Sequence, residues 1–127
     1  MNNLYKTLAF LFLVFVTSAI SAQNIRPATV TADGLIILDA TTPDVSAEYV
    51  ADISKFNFGN LLQAQSYFQK YVEKTSTRGI QYSFDMANQK LYIIVDVNGQ
   101  YLVPIGFTPI SVSNFNDVLR MIHLGQI

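Results

Sequence analysis

Residues 60–97 constrain the fold more than any other part of the chain. The segment NLLQAQSYFQKYVEKTSTRGIQYSFDMANQKLYIIVDV changes its apolar period once, from helical to two. Leu61, Ala64, Phe68, Tyr71 and Val72 recur at helical spacing and form one apolar stripe. Asn60 is placed to cap the free amides of the first turn, with Gln63 three residues on as in a capping box. The weak helix formers Thr-Ser-Thr-Arg and then Gly79 end the helix near Thr75.

From Ile80 the period is two. Ile80, Tyr82 and Phe84 alternate with Gln81, Ser83 and Asp85, and Leu91 to Val97 is a second strand rich in β-branched residues. Met-Ala-Asn-Gln closes a four-residue loop, with Asn88 expected in the left-handed region. This loop sets Asp85 opposite Lys90, Ser83 opposite Tyr92 and Gln81 opposite Ile94. Ile80, Tyr82, Phe84, Leu91, Ile93 and Val95 then share the face that the helix covers, since a slip of one residue would turn them all outward.

The chain opens with the pattern of a secretory leader. Lys6 precedes an apolar run from Leu8 to Ile20, and Ser18-Ala19-Ile20-Ser21-Ala22 supplies small residues for cleavage before Gln23. Residues 1–22 are therefore expected to be a signal peptide too short to span a bilayer comfortably. No stable membrane insertion is expected after its removal. The product would be exported, either periplasmic or extracellular. There is no cysteine, which rules out disulfides and a lipid anchor on a lipobox cysteine. Without Lys6 the chain carries seven Lys and Arg against nine Asp and Glu, a formal charge of −2. That balance argues against nucleic-acid binding, which calls for a basic face.

Residues 23–127 are expected to form one small domain. Residues 23–34, with one proline and no clear period, suggest a flexible arm ending in an Asp33-Gly34 turn. Leu35–Leu38 is a short strand. Pro43 to Glu48 is either one helical turn or a loop, and Tyr49 to Phe58 is either a strand or an extended loop held by its phenylalanines. Asn98-Gly99 calls for a type I′ turn. It would set Val97 opposite Gln100, Asp96 opposite Tyr101 and Ile94 opposite Val103, in an edge strand ended by Pro104. A last helix follows from Ser111 or Ser113 to about His123, with Phe115, Val118, Leu119 and Ile122 as its stripe and Gly125 at its end.

These pieces give an α+β fold: a two-layer sandwich of a mostly antiparallel three- to four-stranded sheet and two helices, in the order β-α-β-β-β-α. The sheet face away from the first helix would carry Tyr92, Ile94, Tyr101 and Val103 beside Gln81 and Ser83. A solvated face is usually more polar, so these six residues are the candidate binding surface.

The chemistry-bearing residues are few. His123 is the only histidine, and its acid partner would come from Asp39, Asp44, Asp52, Asp85 or Asp96. No acids match calcium-loop or zinc-ligand spacing and no phosphate loop occurs, so no metal or cofactor is expected. The leading expectation is a non-enzymatic binding or accessory module. It would act through its Tyr-rich sheet face or an edge strand on a protein or glycan partner. An inhibitor of a secreted enzyme is a special case of this, and a small hydrolase or lyase using His123 with an aspartate is the rival.

Overall fold

The computed structural model describes residues 25–97 and 111–127. The leader 1–22, the Asn98-Gly99 turn and the candidate residues Tyr101 and Val103 lie outside the described residues.

The fold is mixed α+β: the described residues form one mostly antiparallel five-stranded sheet and three α-helices on one of its faces. The strands are β1 (Ile25–Val30), β2 (Ile36–Leu38), β3 (Glu48–Asp52), β4 (Ile80–Asp85) and β5 (Lys90–Val95). The helices are α1 (Leu61–Tyr67), α2 (Gln69–Thr75) and α3 (Val112–His123). The spatial order is β2-β1-β3-β5-β4, with β1 and β3 parallel and every other pair antiparallel.

The β4–β5 hairpin has the register the loop implies: Asp85 faces Lys90, Ser83 faces Tyr92 and Gln81 faces Ile94. Its loop differs in detail. Gln89, not Asn88, takes positive φ, while Asn88 donates its backbone amide and Nδ2 to Asp85. That satisfies the Asp85 carboxylate locally, and Lys90 pairs instead with Asp52 at 3.6 Å.

The expected order β-α-β-β-β-α is corrected in three places. First, the arm expected over 23–34 is from Ile25 to Val30 a strand inside the sheet. Pro27 is tolerated there because its carbonyl still accepts from Asp39, so the N–H it lacks removes only the other half of that pair, at the end of the β1–β2 ladder. Second, a third meander strand with Val103 opposite Ile94 has no edge to join. Both sides of β5 are taken, and Ile94 lies between Glu48 of β3 and Gln81 of β4. Third, the single helix is two, interrupted at Phe68 (φ −100°, ψ 12°). In an unbroken helix adjacent residues point about 100° apart. The break lets Tyr67 and Phe68 enter the same aromatic cluster, with ring centroids 4.9 Å apart.

The segments before the helices resolve as follows. Pro43–Glu48 is a loop in which Asp44 bridges to Ser111, and β3 begins at Glu48. After β3 a 3-10 turn, Ser54–Phe56, ends on Asn57 in the left-handed conformation and sends Phe56 and Phe58 into the cluster around Phe68. Asn60 caps α1 as its sequence suggests, accepting from Gln63 N at 2.9 Å. Ser111 caps α3, and Gly125 (φ 71°) closes it. The amides of Gly125 and Gln126 return to Ile122 and Met121.

The core lies between the sheet and the helices. Phe68 and Tyr71, with Phe115, Val118, Leu119 and Ile122 of α3, meet the inward residues of all five strands, and Ala64 of α1 is buried as well.

Candidate functional site

Because all three helices cover one face, period-two alternation turns the other side chains of each strand to the opposite face. Tyr92, Ile94, Gln81 and Ser83 are there together, as their spacing implies. Gln81 and Ser83 are exposed, Ile94 is 37% exposed and Tyr92 is half-buried. The register extends the patch in a direction the sequence did not suggest. Val50 of β3 lies opposite Tyr92, and Pro27 of β1 lies opposite Val50. Glu48 joins Ile94 to Ile25 in the next row. Pro27, Val50 and Ile25 were missed because β1 and β3 were not resolved as strands, and the exposed Ile37 because the apolar run Leu35–Leu38 shows no alternation of its own. The signal available was the alternation of Tyr49, Ala51 and Ile53 with Val50 and Asp52.

His123 sits elsewhere, at the end of α3, in a network on the helix side. Its Nε2 lies 3.2 Å from Asp33 Oδ2, in the turn after β1. Asp33 was not among the acids singled out from sequence, because Asp-Gly is sufficiently explained as a turn. Lys70 of α2 reaches both His123 Nδ1 and the His123 carbonyl at 3.1 Å. Lysine only donates, so Nδ1 accepts and Nε2 carries the proton donated to Asp33. The Tyr71 hydroxyl also lies 3.3 Å from Nδ1, but its own proton goes to the Gly34 carbonyl at 2.8 Å. Burial raises the Tyr71 phenol to about 12, which keeps it protonated. The network leaves neither imidazole nitrogen free to take a proton from a nucleophile. What it does is tie the β1–β2 turn, α2 and the end of α3 together. Among the described residues no group of three or more His, Cys, Asp or Glu is placed to hold a metal ion. No described helix is long and apolar enough to cross a membrane.

The carboxylates give the domain an acid limit. The Thr31 hydroxyl and then His123 hold Asp33 below its ordinary 3.8, and Arg26, 2.6 Å away, does so for Asp39. Ser54 lowers Asp52 and Asn88 lowers Asp85. A carboxyl lowered in the folded state takes up its proton first in the unfolded chain, so acid favours unfolding. Stability is therefore expected to be level from neutral pH to about pH 5 and to fall below about pH 4. Urea midpoints at several pH values measure this, and Asp39→Asn should make the acid slope shallower. A midpoint that rises on acidification would contradict it.

No protein-family model matches the chain, and neither a curated protein nor a solved structure shows significant similarity to it.

Proposed function

We propose that the protein is a non-enzymatic binding module that docks a protein partner on the open face of its sheet, after export on the 1–22 leader. The observation that carries this reading is the row Pro27–Val50–Tyr92, flanked by Ile25 and Ile94, on a face that no described helix covers. Apolar groups gathered on an accessible face around Tyr92, with Gln81 and Ser83 along the β4 side and Glu48 between Ile25 and Ile94, have the composition of a docking surface. The protein would act in the periplasm or the medium, with no cofactor, no metal and no nucleic acid.

The competing reading, a hydrolase or lyase, has one observation in its favour, the contact between His123 and Asp33. The occupied Nδ1 and the high phenol of Tyr71 weigh against it.

The test compares the protein with Tyr92→Lys/Ile94→Lys in a pull-down from the source organism. Both positions lie on the outer face, so stability should change by no more than about 1 kcal/mol. Capture of the partner should fall at least tenfold, as expected for the centre of a docking patch. Undiminished capture by the folded variant would overturn the reading. A glycan partner would show as binding that survives protease treatment of the extract. For export, the secreted product should begin at Gln23.

A further inference from the structure

The outer face of the sheet carries negative charge that its own strands do not neutralise. Glu48 stands in the row Ile25–Glu48–Ile94–Gln81, and Val50 follows it by two residues on β3. Apolar side chains therefore flank the carboxylate on three sides. Asp96 follows Ile94 by two residues and returns to the same side of the sheet. Its amide donates to the Gly79 carbonyl at 2.8 Å, which carries the β4–β5 pairing one step further. Asp96 is the diagonal neighbour of Glu48, about 7–8 Å away across the two strands.

Beside Asp96 lies a pocket of about 220 Å³, lined by Ile94 and Gln81 of the same row and by Ser76 and Gly79. Sites for small molecules measure about 300–1,000 Å³, so this one is sized for a single side chain.

Among the described residues neither Glu48 nor Asp96 has an ion pair. The two bases on the strands are engaged, Arg26 with Asp39 at 2.6 Å and Lys90 with Asp52 at 3.6 Å. Arg78, which precedes Gly79, pairs with no described carboxylate. Residues 98–110 contain no Lys, Arg or His. Burying a carboxylate without a cation is strongly unfavourable. Whatever covers Ile25, Val50, Tyr92 and Ile94 also covers Glu48, so the covering surface has to bring the positive charge.

Building on the docking reading above, we propose that the partner protein presents an arginine flanked by apolar residues, whose guanidinium enters the pocket beside Ile94 and bonds Asp96 and Glu48. Its apolar neighbours then lie on Val50 and Tyr92. Arginine suits the site better than lysine. Its planar fork of five donors serves two carboxylates at once, and it is more weakly hydrated than an ammonium. An acidic segment is repelled by the same two groups.

The probe is a fluorescein-labelled peptide, Ser-Val-Val-Arg-Val-Val-Ser with blocked termini, titrated with the protein expressed from the full chain and followed by anisotropy. Its controls carry citrulline, which keeps the shape and loses the charge, or lysine in place of the arginine. The arginine peptide should bind at least tenfold more tightly than the citrulline peptide, with lysine between them, and this preference should shrink with salt. Glu48→Gln and Asp96→Asn keep the size of each side chain, and each should cut the preference at least threefold. Arg78→Gln should not reduce it. Tyr92→Lys/Ile94→Lys should abolish binding, with circular dichroism showing that every variant is folded. Equal binding of the arginine and citrulline peptides, no binding of the arginine peptide up to millimolar protein, or a preference that survives Glu48→Gln combined with Asp96→Asn would each overturn the proposal. The docking reading outlives any of these results if partner capture still depends on Tyr92 and Ile94, whereas loss of that dependence removes both.

Discussion

Replacing Phe68 by alanine is expected to cost about 3–5 kcal/mol, a large part of the 5–15 kcal/mol that holds a domain of this size together. Phe68 is fully buried at the break between α1 and α2. Its ring centroid lies within 6.3 Å of those of Phe56, Phe58, Tyr67, Tyr71 and Phe84. These rings come from the 3-10 turn and the residues just after it, both helices and β4. A cavity there cannot collapse by moving one element, because the rings are fixed by several. The Phe68 carbonyl also accepts from Tyr71 N and Val72 N at 3.1 and 3.3 Å. Those backbone bonds survive the substitution, so the loss measures packing. Urea unfolding followed by circular dichroism gives the value. Phe68→Leu, which keeps most of the volume, should cost clearly less. A cost for alanine below about 1.5 kcal/mol would mean that the cluster collapses freely and that Phe68 does not anchor it.

Gly34→Ala is expected to destabilise by about 1–3 kcal/mol from two separable causes. Gly34 has φ +93°, where an L side chain is strained. A Cβ built there lies 2.7 Å from Tyr67 Oη and 3.0 Å from Cε1, so the ring must move. Tyr67 is 39% exposed and can swing outward, which limits the steric share. The turn also places Asp33 against His123 and offers the Gly34 carbonyl to Tyr71, so the strain acts on the joint between the sheet and two helices. A double-mutant cycle with Tyr67→Ala separates the causes. The coupling energy reports the clash, and the residue left in the Tyr67→Ala background reports the backbone. An unchanged urea midpoint for Gly34→Ala would show that the turn relaxes without cost.

Much of the hairpin and the helices was legible in the sequence because their signals are local. Asn60 and Gln63 lie three residues apart, and Ser83 and Tyr92 are related by one short loop. Such signals compete with few alternatives. The reading of residues 23–34 as an arm failed for a different reason. A strand such as IRPATV shows little alternation of its own and becomes a strand only because β2 and β3 present ladders to it. The expected pairing of a further strand with Ile94 is excluded because β5 already has a neighbour on each side, which turn chemistry at one end of a strand does not reveal.

The same division runs through the candidate surfaces. Tyr92, Ile94, Gln81 and Ser83 share a face by period alone. Their neighbours Val50 and Pro27 are set by pairings between residues about 23 and 42 apart in sequence, which no local pattern encodes. His123 was visible as the one histidine, whereas its contact with Asp33 joins residues 90 apart.

Contacts confined to a turn or a hairpin set the capped ends of α1 and α3, the stripe of α3 and the register of β4 on β5, and these are readable from the chain alone. Tertiary structure alone decided the strand order, the parallel pairing of β1 with β3, the break at Phe68 and the sealing of the β2 edge by Asn116 and Tyr71. Each of these is a competition among distant segments for the same edge or the same core volume. Its outcome depends on loop closure and on burial summed over the whole domain, not on any one stretch of chain.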